Sequence, residues 1–198
     1  MSEMIKMEDL EEKFSLWEKI DEDNYPEKLK KDNKPDDIYK HPGIYAIAID
    51  ESDSMDGKKF HFEDISRKIV YFGMTNSKDG LRGRLKQFFN TIYKCNGTSQ
   101  HGGACRFCTH AEKKIDKKWK EKLFFSTYPF KKCIVDELGS GNIKGKIIGE
   151  EKAPEMFEFM GKVALTEYLC FTHYVRKNRE MPKFNNKSDN EKACRMKI

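Results

Sequence analysis

Two short runs of β-prone residues, 43–49 and 69–73, stand close enough in sequence to pair, and alternation along each sends every second side chain to one face. Tyr45 and Tyr71 then share a face if the two runs sit side by side. Upstream, Met7, Leu10, Phe14 and Trp17 recur at helical spacing and predict an amphipathic helix that ends before Pro26. Residues 27–41 are polar and lysine-rich, with Pro35, and Pro42 follows, which reads as a linker or surface arm. A long connection rich in Asp, Ser, Gly and Lys, 50–59, separates the two strands. Leu81, Leu85, Phe88 and Ile92 then mark one face of a helix that also carries Arg84, four residues before Phe88. Residues 94–122 mix Cys, His, Gly and Lys as an insertion, 123–135 return to β-prone types, and a helix over about 154–175 closes the pattern.

That last helix carries an acid in an unusual place. Its interior charges are Glu158, Lys162 and Glu167, and at 100° per residue Glu167 lies about 180° from Glu158 and about 140° from Lys162. Met156, Met160, Val163 and Tyr174 share its side instead. A carboxylate there needs a cation or hydrogen bonds to offset its desolvation. A salt bridge to a core arginine, a partly exposed helix edge and a metal site all answer that need.

Composition sets limits. A chain of 198 residues buries one core without staples. Charged residues make up 36% against 37% hydrophobic, so the surface is densely charged, and 14 Phe with 8 Tyr supply core volume. The net charge of +5 permits a polyanionic partner without demanding one. No stretch has the apolar length of a membrane span and the N-terminus lacks a secretory pattern, so a cytoplasmic protein with mostly reduced cysteines is expected.

Taken in order, Gly43-Ile44-Tyr45, Val70-Tyr71-Phe72-Gly73, Leu81 to Phe89 with Arg84, Thr166-Glu167 and Pro182-Lys183-Phe184-Asn185 resemble the motifs of the GIY-YIG endonuclease family from residue 43 to residue 185. The resemblance implies an α/β domain of α+β type, with a small, mostly antiparallel central sheet flanked by helices. It also implies one domain over 1–198: an N-terminal helix and arm (1–41), a first core part (42–93), the Cys/His/Lys-rich insertion (94–122) and a second core part (123–198) with the acid-bearing helix and tail. The implied activity is metal-dependent hydrolysis of DNA phosphodiester bonds. A free-standing catalytic domain with internal insertions looks most like a type II restriction endonuclease. Two other readings stay open: a catalytically silent nucleic-acid-binding protein, and a nicking or repair nuclease.

Roles follow by the same resemblance. Tyr45 acts as or assists the general base and Tyr71 orients water and phosphate, while Arg84 offers a planar fork to phosphate oxygens. Glu167 holds one Mg²⁺ (or Mn²⁺), with waters completing its shell, and Asn185 fixes the substrate or the site, with Asn178 and Asn186 as alternatives. A phenol of pKa about 10 is ionised to only about 0.1% at neutral pH, so positive charge has to lower it. The chain departs from the pattern where many relatives carry Lys, here Met74, and Tyr or His, here Phe88. A neighbour such as Lys78, Lys86 or His101 then has to substitute.

The insertion carries two further expectations. Cys105-Arg106-Phe107-Cys108 has the gap of half a zinc signature, completed by Cys95 and His110 if a structural zinc is bound; cysteines in a plain loop are the alternative. His101-Gly102-Gly103 allows close approach to a phosphate. With Lys86, Lys113, Lys114, Lys117 and Lys118, His101 forms the expected DNA contact, although an ordinary solvated helix with Trp119 packed inward explains the basic run equally well. Double-stranded DNA is the expected partner, and a homodimer is the simplest way to cut both strands; Phe14 and Trp17 either form the subunit contact or cap the chain's own core.

Overall fold

The computed structural model describes residues 6–30, 37–62, 68–94, 101–114, 117–130 and 153–185. Among the described residues it is a mixed α+β fold built on one four-stranded antiparallel sheet with five α-helices. In chain order these are α1 (Met7–Glu11), β1 (Glu18–Ile20), α2 (Tyr25–Lys28), β2 (Gly43–Ile49), β3 (Ile69–Thr75), α3 (Gly80–Tyr93), α4 (Gly102–Lys114), β4 (Leu123–Pro129) and α5 (Ala153–Asn178). The strand order is β1-β4-β2-β3. Among the described residues no helix is long and apolar enough to cross a membrane.

β2 is central and covered on both faces, which is why it reads as a near-continuous apolar run. Alternation sorts its side chains. Tyr45 and Ile47 point to one core with Tyr71, Leu81, Leu85, Phe88, Phe89, Phe107 and Trp119, roofed by α3 and α4. Ile44, Ala46 and Ala48 point to the other with Phe72, Phe124, Val163, Cys170 and Tyr174, under α5. The long connection between β2 and β3 adds Met55, Phe60 and Phe62 to that second core. Its start is tied by Asp50, which accepts from Ser52, Ser54 and Lys68.

The N-terminal helix is much shorter than its periodicity predicts. Helix geometry stops at Glu11, and from Ser15 the chain turns extended because β4 offers an edge: Ser15 N donates to Thr127 O at 2.7 Å, and Glu18, Lys19 and Ile20 pair with Phe125, Phe124 and Leu123. Leu10, Phe14 and Trp17 are buried, as the pattern requires, but in the chain's own core, with Phe14 stacked on Phe60 at 4.0 Å. Of the two places open to Phe14 and Trp17, the chain's own core is the one they take. The arm after α2 is anchored at its far end, where Arg82 Nη2 grips both oxygens of Asp37 at 2.6 and 2.7 Å.

Candidate active site

The strand register builds the site. Tyr45 lies directly opposite Gly73, and Ile47 opposite Tyr71, so Tyr45 and Tyr71 are diagonal neighbours on the α3 face with ring centroids 5.9 Å apart. The Tyr45 ring crosses over Gly73. A Cβ there would sit 2.4 Å from its Cζ and Oη atoms, so only glycine leaves the ring its place. Gly103, at the start of α4, does the same for Tyr71, whose hydroxyl lies 2.5 Å from the position a Cβ would take.

α3 runs above the two phenols. Phe88 packs against Tyr45, Tyr71 and His101, with centroids 6.1, 5.6 and 5.1 Å away. Arg84, one turn earlier, brings its charge to bear on both Tyr45 and Tyr71. Arg84 Nη1 donates to Gln87 Oε1 at 2.8 Å, while its buried Nε has no hydrogen-bond partner among the described residues. Arg84 also lines a groove of about 650 Å³ with Asn76, Ser77, Lys86, Gln87 and Asn90.

His101 departs from its sequence assignment. It is 1% exposed, so it cannot reach a DNA phosphate as expected. One ring nitrogen, Nε2, lies 2.8 Å from the Tyr45 hydroxyl, and the other, Nδ1, accepts from Gly103 N and Ala104 N at 3.1 and 3.3 Å, capping α4. The insertion thus delivers a polar ring to the tyrosine pair, beside Phe88.

The electrostatics are uneven. Burial drives the Tyr45 phenol well above its ordinary value; Tyr71 adds to that and Arg84 opposes it. Burial also raises Tyr71, but the Tyr45 hydrogen bond, Arg106 and Arg84 pull it back, and Glu167 pushes it up. His101 is pushed down to about 3 by burial, with Arg84 and Arg106 reinforcing, so it is neutral at pH 7. Tyr71 therefore lies within electrostatic reach of Arg84, Arg106 and Glu167 together.

Glu167 is half-buried on α5, away from the exposed Lys162–Glu158 ion pair at 2.7 Å, as the helical angles require. α5 packs on the opposite face of the sheet from α3, and β3 is the edge between them. Asn185 braces that edge. Its Oδ1 accepts from Phe72 N and its Nδ2 donates to Phe72 O, both at 2.7 Å, in the manner of an added strand residue, while Phe184 N donates to Val70 O. Asn185 thus fixes the backbone between Tyr71 and Gly73, with its carboxamide already engaged. Asn178 donates to Tyr174 O within α5, and Asn186 lies outside the described residues.

Arg106 is a site residue the sequence reading passed over, because it stood inside the supposed zinc motif. Its Nε donates to Phe184 O at 3.2 Å, joining α4 to the Asn185 brace, and its charge reaches both Tyr71 and His101. Cys105 and Cys108 are helical residues one turn apart, packed in the core, with Cys108 Sγ 3.9 Å from Thr91 O. Cys95 lies outside the described residues and His110 is placed on α4. Among the described residues no group of three or more His, Cys, Asp or Glu converges. Of the basic residues, Lys86 borders the groove and Lys118 is exposed; Lys113 and Lys114 fall on α4 and Lys117 on the turn that follows it, where Trp119 is buried. Compared with known proteins, the chain matches no family model, no curated protein and no solved structure.

Proposed function

We propose that this chain is a metal-dependent DNA endonuclease of the GIY-YIG fold and kind, acting as a sequence-specific restriction enzyme. One observation carries the reading: two phenols brought side by side by strand register, with ring centroids 5.9 Å apart, a guanidinium whose charge acts on both, and a carboxylate within electrostatic reach of one. A plain packing role for the tyrosines accounts for the rings. It does not account for the charges of Arg84, Arg106 and Glu167 acting together on two buried phenols, one of them bonded to a neutral imidazole.

Phosphodiester hydrolysis uses each group. The attacking water loses a proton into the paired phenols. Arg84, which lines the groove, meets the non-bridging oxygens where negative charge gathers. Glu167 suits a hard divalent cation, because a carboxylate is an oxygen donor and a single one leaves room for the waters that Mg²⁺ retains. Such an ion, when bound, supplies charge stabilisation at the phosphate and the leaving oxygen. Gln87, Asn76 and Asn90, lining the groove beside Arg84, present carboxamides of the kind that read base edges.

Incubation of the full chain with supercoiled plasmid and Mg²⁺ tests the proposal. Discrete linear fragments support it. Nicked circles alone favour a single-strand cutter, and untouched plasmid with retained binding favours a silent domain.

A further inference from the structure

Five large apolar side chains are exposed among the described residues, and three of them, Phe157, Leu165 and Tyr168 at 65, 53 and 66%, lie on α5. They form one stripe. At 100° per residue Leu165, Tyr168 and Thr172 fall about 80°, 20° and 60° round the helix from Phe157, and from Phe157 to Thr172 the stripe runs about 22 Å at about 1.5 Å per residue. It is not the face that holds α5 to the sheet. Val163, Cys170 and Tyr174, on the opposite side of the helix, are buried in the core and do that. A helix already packed needs no large apolar groups on its outer face, and a contiguous exposed patch of this kind marks a contact with another surface.

We propose that the outward face of α5 docks a second copy of this chain, the two α5 helices packing antiparallel across a twofold axis that passes between Ala164 and Leu165, the middle of the stripe. Charge selects that partner and that direction. α5 carries Glu155 in its first turn and Arg176 in its last, and the exposed Glu158 adds to the acidic end. An antiparallel copy sets each acidic end beside the partner's basic end and opposes the two helix dipoles favourably, whereas a parallel copy sets like beside like. The acidic end also disfavours a phosphate backbone or an anionic bilayer as the occupant. The area suffices. Two exposed rings and one leucine leave roughly 350 Å² open per copy, hence roughly 700 Å² in the pair, and the stems of Glu158, Lys162 and Thr172 at the rim carry the contact past the roughly 1,000 Å² that a specific interface needs. Phe14 and Trp17, the other pair suited to a subunit contact, are committed to the chain's own core.

The test is sedimentation equilibrium of the full chain, without DNA. A monomer–dimer equilibrium with a dissociation constant of about 1–100 µM is expected for a contact of this size, and a chain that stays monomeric at about 100 µM overturns the proposal. Leu165→Glu places like charges together on the axis and Tyr168→Glu removes a ring from the stripe, so each should weaken the dimer at least about 10-fold. Both positions are exposed in the single chain, so circular dichroism and Tm at low concentration should show the fold intact, and a dimer of wild-type strength in both variants places the contact elsewhere and overturns the proposal. Direction is tested by exchange of charge: Arg176→Glu should weaken the dimer about 3- to 10-fold, and Glu155→Lys added to it should recover most of that loss; no recovery refutes the antiparallel arrangement. The inference does not rest on the nuclease reading. A dimer that cuts no DNA leaves it standing, and a monomer that cuts DNA removes it alone.

Discussion

Gly73→Ala probes how the site is assembled. The new methyl would lie 2.4 Å from Tyr45 Cζ and Oη, against ordinary contact from 3.4 Å outward, so the ring has to withdraw by about 1 Å. It cannot do so cheaply, because Phe88, Tyr71 and His101 pack around it and the ring is fully buried. Overpacking of this kind costs about 1–3 kcal/mol, which lowers Tm by about 4–8 °C for a cost near 2 kcal/mol in a domain of this size. The same shift stretches the 2.8 Å contact to His101 past hydrogen-bond length, and a misplacement of about 1 Å at a reacting group costs about 100-fold in rate. Calorimetry and plasmid cleavage per folded molecule measure the two effects. Gly161→Ala is the control: nothing lies within 4 Å of its Cβ, on an exposed helix face, so it should be neutral or stabilise by up to about 1 kcal/mol. Wild-type Tm and turnover in the Gly73→Ala protein would refute the claim that this glycine holds the place of the Tyr45 ring.

Three further outcomes are expected. Asn185→Ala removes both hydrogen bonds to the Phe72 backbone and should cost about 1–3 kcal/mol in urea unfolding, with cleavage falling as the β3 edge loosens; unaltered stability would show the brace to be idle. Arg82→Met leaves the buried Asp37 carboxylate unpaired and should destabilise by about 3–5 kcal/mol with turnover per folded molecule unchanged, so a variant as stable as wild type contradicts the anchoring of the arm. His101 is held neutral, its folded value of about 3 lying below the ordinary 6.5. Its contribution is therefore complete above pH 6.5 and drains away as pH falls from 6.5 toward 3, at up to about 1.4 kcal/mol per pH unit. Unfolding measured from pH 7 to pH 4 should show a shallower acid loss in His101→Gln, and identical slopes would remove His101 from the acid limb.

What was legible in the sequence was what periodicity and residue chemistry fix locally. Alternation placed Tyr45 and Tyr71 on one face, helical spacing placed Leu81, Leu85, Phe88 and Ile92 inward, and angular counting set Glu167 apart from Glu158 and Lys162. The N-terminal segment misled because Leu10, Phe14 and Trp17 satisfy helical spacing and yet are buried equally well by a short helix followed by a strand; the open edge of β4 decided between them. His101 and Arg106 were hidden for another reason. Both arrive from an insertion, and only tertiary packing reveals that α4 delivers them to the phenols. A histidine just before Gly102-Gly103 and a helical run was a capping signal that a reading focused on phosphate passed over. Asn185 was marked as a group that fixes the site, but its grip on the Phe72 backbone, across 113 positions of chain, lies outside any local pattern.

The most direct measurement is single-turnover cleavage of plasmid DNA with Mg²⁺ by the wild-type chain, Arg84→Ala and Glu167→Ala, each at equal DNA occupancy. The account predicts discrete products from the wild type, none from either variant, and no products from the wild type in chelator until Mg²⁺ is restored. Wild-type rates in either variant, or cleavage that persists in chelator, would contradict it.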